Sequence, residues 1–291
     1  MSNTMIGLLI ILGSIFAHLF EGMIVKGYGQ KHGKGGMFFN AVLCLFATMY
    51  FFVTDTGGFQ LSTGVFYYGV CNSLLYAVGF YTGYLALASG SFGLTRLCTS
   101  FGVFLPIIYG FAAGENVTYL TIIGTVLVVT AVILMMSRNG ATEDTPKITT
   151  KWVVSVILMI LSNAAISIVG KLQNNAFGNT YKNEYLIVSF LGAAVWLAIL
   201  GFIYERQNLR TVLRYGILFG MAAGLFNGIN NLLILITYDY IPDLSTISPI
   251  KGALSKVISF LVAVFIYREK FTKRQWLGVG VGILAVLLIS L

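Results

Sequence analysis

Apolar runs about twenty residues long, each broken off by a short cluster of charged residues, Gly or polar side chains, recur along the whole chain. A helix needs roughly 20 such residues to cross a hydrocarbon core about 30 Å thick, so each run predicts one membrane-spanning helix. The runs cover residues 4–25, 37–54, 64–88, 92–113 and 118–137, then 152–172, 184–204, 212–237, 244–266 and 275–291. One clear polar interval, Ser137 to Lys151 with Glu143, Asp144 and Pro146 inside it, separates the fifth run from the sixth. The pattern predicts an all-α membrane protein of ten transmembrane helices: a first five-helix unit over 1–137, a polar linker over 138–151 and a second five-helix unit over 152–291.

The two units read as copies of each other. At an offset of 145, Lys26 pairs with Lys171 and His18 with Asn163. At 155, Gly69 pairs with Gly224, Asn72 with Asn227, Thr82 with Thr237, Arg96 with Lys251 and Ser100 with Ser255. At 154, Glu115 pairs with Glu269, Thr118 with Thr272 and Gly124 with Gly278. The matches keep their order along both units. An odd number of spans per copy makes the second copy enter the membrane from the opposite side, which predicts inverted repeats. That architecture belongs mainly to transporters, whose halves rock against each other about a central site.

Composition narrows the class further. The chain is 57% hydrophobic and 10% charged, where soluble domains carry about 25% charge, so no soluble domain remains outside the spans. A net charge of +8 would raise the question of nucleic acid in a soluble protein. Here the basic residues cluster in short loops, as the positive-inside rule expects, and no aromatic-basic module accompanies them, which argues against nucleic acid as a partner. The loops after spans one, five, seven and nine hold thirteen Lys and Arg: Lys26, Lys31, Lys34, Arg138, Lys147, Lys151, Arg206, Arg210, Arg214, Arg268, Lys270, Lys273 and Arg274. The opposite face holds only Lys171 and Lys182, which places the odd-numbered loops in the cytoplasm and both termini outside. Cys44, Cys71 and Cys98 lie within apolar runs without metal-ligand spacing and read as small core hydrophobes, so no metal is expected. The first run has no basic flank and no small-residue cleavage site after it, and reads as a retained helix.

Three local features resemble the drug/metabolite transporter superfamily, in particular its ten-helix EamA-like exporters. An acidic residue after the fourth helix of each repeat is followed by Thr and a Gly-containing apolar helix: Gly114-Glu115-Asn116-Val117-Thr118 with Gly124, and Arg268-Glu269-Lys270-Phe271-Thr272 with Gln275-Trp276-Leu277-Gly278. A Lys closes the first helix of each repeat, as Lys26 and Lys171. In four-helix multidrug relatives a membrane carboxylate precedes that Lys by eight residues; here His18 and Asn163 stand there, which argues against cation/proton exchange by that mechanism. Gly252-Ala253-Leu254-Ser255-Lys256 is similar to the Gly-Ala-Leu-Asn-Lys motif of nucleotide-sugar transporters, with Ser for Asn. The resemblance implies a cofactor-free secondary transporter of the plasma (inner) membrane that exports a small metabolite by alternating access. It also implies cytoplasmic termini, opposite to the charge count, and leaves orientation open.

Charged groups at mid-bilayer cost roughly 2.5–3.5 kcal/mol on insertion scales, so those present point to a cavity or a partner. Arg96 and Lys251 are repeat equivalents, each followed on the same helix face by Ser100 or Ser255, and are candidates to bind an anion or the carboxylate of a zwitterion. Snorkelling to the interface or pairing with Asp239 or Asp243 explains them equally well. Lys256 lies five residues past Lys251, about 140° round the helix, and is a deeper cavity candidate. Asn227, Asn230 and Asn231 form one polar stripe, with Asn72 equivalent to Asn227; they could bind solute or bond between helices. His18 and Glu21 share a face and are candidate proton carriers, with a Glu21 salt bridge to Lys26 as the plainer alternative. Tyr76 and its neighbours Tyr67, Tyr68, Tyr81 and Tyr84 could wall a cavity or simply pack.

The leading expectation is a transporter for an amino acid or another anionic or zwitterionic solute. A multidrug or organic-cation transporter is the alternative within the class, and a channel or lipid scramblase the alternative outside it. Two His and few interior acids leave little for an enzyme's catalytic set, and no phosphate-cradling Gly loop is present. The partners expected are a small solute and the lipid bilayer, with self-association open between monomer and homodimer.

Overall fold

Backbone amides have no water to bond in lipid, so an apolar chain crosses a membrane by closing its hydrogen bonds within each helix. The computed structural model describes residues 3–55, 57–89, 95, 98, 99, 102, 104–115, 118–135, 149–178, 180–265 and 273–290, and among these every regular element is helical. The helices are α1 Asn3–His32, α2 Gly36–Thr54, α3 Thr63–Ser89, α4 Phe104–Ala112, α5 Tyr119–Met135, α6 Thr150–Phe177, α7 Lys182–Tyr204, α8 Ile217–Thr237, α9 Leu244–Phe265 and α10 Lys273–Ser290. Six of them, α1, α2, α3, α6, α7 and α8, are long and apolar enough to cross a bilayer, and the chain is a multi-pass integral membrane protein. Shorter apolar segments lie in α5 and α10, at Tyr119–Ala131 and Trp276–Ala285.

Local chemistry sets the helix ends. Thr149 caps α6 by accepting the Trp152 N–H through its hydroxyl, 3.2 Å away. Gly178, with φ +60, ends the same helix and returns its N–H to the Asn174 carbonyl. Helix α1 runs to His32, past the predicted end at Val25, so Lys26 and Lys31 ride on helix and not on loop. Nothing between Val25 and His32 compels a stop; Gly33 and Gly35 do, with φ of +61 and +80. Ahead of α8 the predicted span start becomes irregular: a 3-10 turn Arg206–Asn208 and a π turn Val212–Gly216 lead in.

The packing partners are spread over the whole chain. Helix α1 packs on α8, α3 on α6, α3 on α7, α2 on α8, α2 on α7, α4 on α9 and α5 on α10. Exchanging each of the first five helices with its counterpart five places later turns every one of these seven pairings into another of them or into itself, whereas the packing of α9 on α10 has no comparable counterpart among the described residues. The interior is filled by Ile11, Ile15, Phe39, Leu43, Phe190 and Leu197, while Val53, Leu218, Phe202 and Leu277 stand outward, more than half exposed. Buried polar residues such as Asn72, Ser189, Asn227 and Thr237 lie inside this apolar rim. Large apolar side chains on such an outer surface are stable against lipid and would be an aggregation site in water.

Candidate functional site

Polar residues from both halves converge on one cavity of about 280 Å³. Helix α1 contributes His18 and Glu21, α3 Tyr76, α6 Asn163 and Ser167, α8 Asn227, Asn230 and Asn231, and α9 Ser248, Lys251 and Ser255. Each set repeats every three or four residues, so one helical face of each element is turned inward. Helix α3 shows the division clearly. Tyr76, Gly79, Phe80, Gly83 and Tyr84 face the cavity, while Leu74, Val78, Tyr81 and Leu85 line a different groove.

The charged groups lining the cavity come from α1 and α9. His18 Nδ1 and Glu21 Oε2 lie 2.9 Å apart, with the Glu21 side chain almost fully buried and His18 more open. Lys251 makes no hydrogen bond or salt bridge with a described residue, and Glu21 is the acid whose charge reaches it. An ammonium on a cavity wall without a bonded partner keeps its donors for a solute. Pro249 lies inside α9 two residues before Lys251 and cannot donate to the Ser245 carbonyl, which loosens the helix where it meets the cavity.

A polar chain joins the halves across the cavity. Tyr76 Oη donates to Asn231 Oδ1 at 2.6 Å, and Asn231 Nδ2 donates to Asn227 Oδ1 at 2.8 Å. Tyr76 and Asn231 are 155 residues apart, the same offset that relates Asn72 to Asn227 and Arg96 to Lys251 in the sequence.

Both ends of the bundle are tied by carboxylates. At one, Glu115 accepts the N–H groups of Leu244 and Ser245, at 3.0 and 2.7 Å, and so caps α9 from the loop after α4. Beside it Lys171 Nζ donates to the Pro242 carbonyl and stands 5.3 Å from the Tyr238 ring. Burial and then the charge of Glu115 push the Asp243 carboxyl above its ordinary value, with Lys171 pulling it back. At another, Glu205 accepts the Met37 N–H at 2.9 Å, joining the end of α7 to the start of α2. Burial pushes the Glu205 carboxyl up, and the Met37 N–H pulls it down.

Of the residues singled out from the sequence, His18, Glu21, Tyr76, Asn227, Asn230, Asn231, Lys251 and Ser255 line the cavity together. Asn72 does not line it; its amide donates to Tyr185 Oη at 2.7 Å and ties α3 to α7. Arg96 and Ser100 lie outside the described residues, as does the side chain of Lys256. Asn163, Ser167 and Ser248 were missed as cavity-lining residues. The signal for Asn163 was its equivalence with His18; the two serines carried none, because Ser is common in membrane helices as a backbone-bonded residue. Among the three cysteines Cys44 is buried and Cys71 is exposed, so Cys71 is not a core position.

Comparisons with known proteins agree with this architecture. Residues 150–291 match the EamA-like transporter family. No curated protein sequence matches the chain. A crystal structure of a protein, 11% identical, superposes with a TM-score of 0.68 over 97% of this chain and 98% of that one, which establishes a shared fold.

Proposed function

We propose that this chain, whose residues 150–291 form an EamA-like transporter domain of the drug/metabolite transporter superfamily, is a secondary transporter built from two inverted five-helix repeats, 1–137 and 152–291, that binds a small anionic or zwitterionic metabolite in the cavity between them. Export from the cell across the plasma (inner) membrane is the direction we favour. The observation that carries this reading is Lys251, an ammonium on the wall of a 280 Å³ polar cavity with no bonded partner among the described residues. A carboxylate on the solute fits it, and the surrounding amides of Asn163, Asn227 and Asn230 offer both donors and acceptors for the rest. The exchange symmetry of the helix pairings and the Tyr76–Asn231 contact support the repeat arrangement. His18 and Glu21, which also line the cavity, are proton-coupling candidates.

The test is flux in proteoliposomes for a solute first found by thermal stabilisation of the detergent-solubilised protein. Lys251→Ala is expected to lower flux of an anionic or zwitterionic solute about tenfold or more, the scale of losing one charged hydrogen bond. Unchanged flux in a folded Lys251→Ala protein removes the assignment. A second reading, an organic cation as solute, is favoured by the buried Glu21 carboxylate beside the rings of Tyr76, Phe80 and Tyr84. Loss of cation flux in Glu21→Gln with Lys251→Ala unaffected would select it.

A further inference from the structure

A second concavity of about 570 Å³ lies away from the central one, between α3, α6 and α7. Its walls are almost wholly apolar: Leu74, Val78 and Leu85 from α3, Val154 and Leu158 from α6, Trp196 and Leu200 from α7. Leu74, Val78, Val154, Leu158 and Trp196 are each more than a third exposed, so the groove opens outward from the helix bundle. Because the chain spans a bilayer, what this groove meets is lipid. Its mouth differs from its walls. Thr150 and Lys151, the first two residues of α6, also line it, and Lys151 is exposed. The first N–H groups of a helix have no partner within it; here the Thr149 hydroxyl accepts that of Trp152 and the Thr149 carbonyl that of Val153. The groove therefore presents a long apolar slot with a lysine and a threonine residue at one end.

We infer that this groove is a specific site for an anionic phospholipid, with an acyl chain between α3, α6 and α7 and the phosphate against Lys151 and Thr150. The opposite half has no counterpart: at the offset of 145 the residue equivalent to Lys151 is Ile6. Lys151 is also one of the thirteen basic residues that the loop pattern of the sequence assigns to one face, where an anionic leaflet would be drawn to the protein. The site thus discriminates between the two ends of a molecule whose halves otherwise resemble each other.

The experiment uses Trp196 as the probe. In the full chain with Trp152→Phe and Trp276→Phe, fluorescence quenching by brominated phosphatidylglycerol is compared with quenching by brominated phosphatidylcholine of the same chain length in reconstituted vesicles. Half-quenching is expected at about fivefold lower mole fraction of the anionic lipid, the scale of one Lys against an anionic headgroup. Adding Lys151→Ala should bring the two curves together. Superimposable curves before that substitution would mean ordinary annular contact and overturn the site. Competition by millimolar inorganic phosphate would mark a soluble-anion site and overturn it too, as would a groove that resists both lipids while residues placed at position 158 cross-link between copies. Should the tryptophan variant fail to fold, native mass spectrometry of the unaltered chain and of Lys151→Ala reads the same comparison, with retained phosphatidylglycerol expected on the first and lost from the second. Equal retention on both overturns the site.

Discussion

Individual carboxylates decide much in this protein, because each one taken out of water must be matched. Glu205 illustrates the balance: it holds the start of α2 through the Met37 N–H, yet burial raises its carboxyl above the ordinary value. An acid whose folded value is raised contributes its full stability below the unfolded value, and that contribution is lost as pH rises through the folded value. Glu205→Gln keeps an acceptor for Met37 and removes the charge. It is therefore expected to unfold at a higher temperature than the unaltered chain at about pH 8 and at the same temperature at about pH 4, either side of the ordinary Glu value. Thermal unfolding in detergent across that range checks this; a lower unfolding temperature for the variant at the higher pH would mean the charged hydrogen bond outweighs the desolvation.

Between elements, close approach of helices depends on positions without side chains. Gly220, Gly224 and Gly228 recur every four residues along α8 and face α2. A Cβ on Gly220 would come within 2.8 Å of Val42 Cγ1, one on Gly228 within 2.8 Å of Tyr50 Cδ1, and one on Gly224 would strike the Leu43 carbonyl oxygen. Gly69, which the sequence pairs with Gly224, meets a side chain instead: a Cβ there would come within 2.6 Å of Val188 Cγ1 on α7. Gly224→Ala should cost about 1–3 kcal/mol through this overpacking. Gly280→Ala, where nothing lies within 4 Å, should be neutral or stabilising by up to about 1 kcal/mol from helix propensity. Unfolding titrations in mixed micelles compare the two, and an equal response would show that the α8–α2 contact adapts freely.

For the whole molecule, the carboxylate of Glu115 matters because it ties the loop after α4 to the start of α9, across 130 residues of sequence. If the cavity opens by the two halves rocking, that end must part. In a chain with Cys44, Cys71 and Cys98 replaced, Glu115→Cys with Ser245→Cys is expected to abolish flux on oxidation and recover it on reduction, measured in proteoliposomes. Full flux with the disulfide formed would mean that this end stays closed throughout the cycle and that solute passes by another route.

What the amino-acid sequence determined by itself was the helical class, the membrane setting and most of the polar set at the cavity. Those follow from local rules: a run of apolar residues has one stable form in lipid, and an ionisable residue inside such a run demands a cavity or a partner. His18, Glu21, Lys251 and the Asn227–Asn231 stripe were legible on that ground. The tertiary structure alone decided that Asn72 bonds Tyr185 while Tyr76, one turn on, reaches Asn231. It alone decided that Glu115 caps a helix of the other half, that α3 turns one face to a polar cavity and another to an apolar groove, and that α1 continues past Lys26. These depend on the rotation of each helix about its own axis and on its register against neighbours far away in sequence. Lipid, being uniformly apolar, leaves both undetermined, and contacts such as that of Gly224 with Leu43 set them.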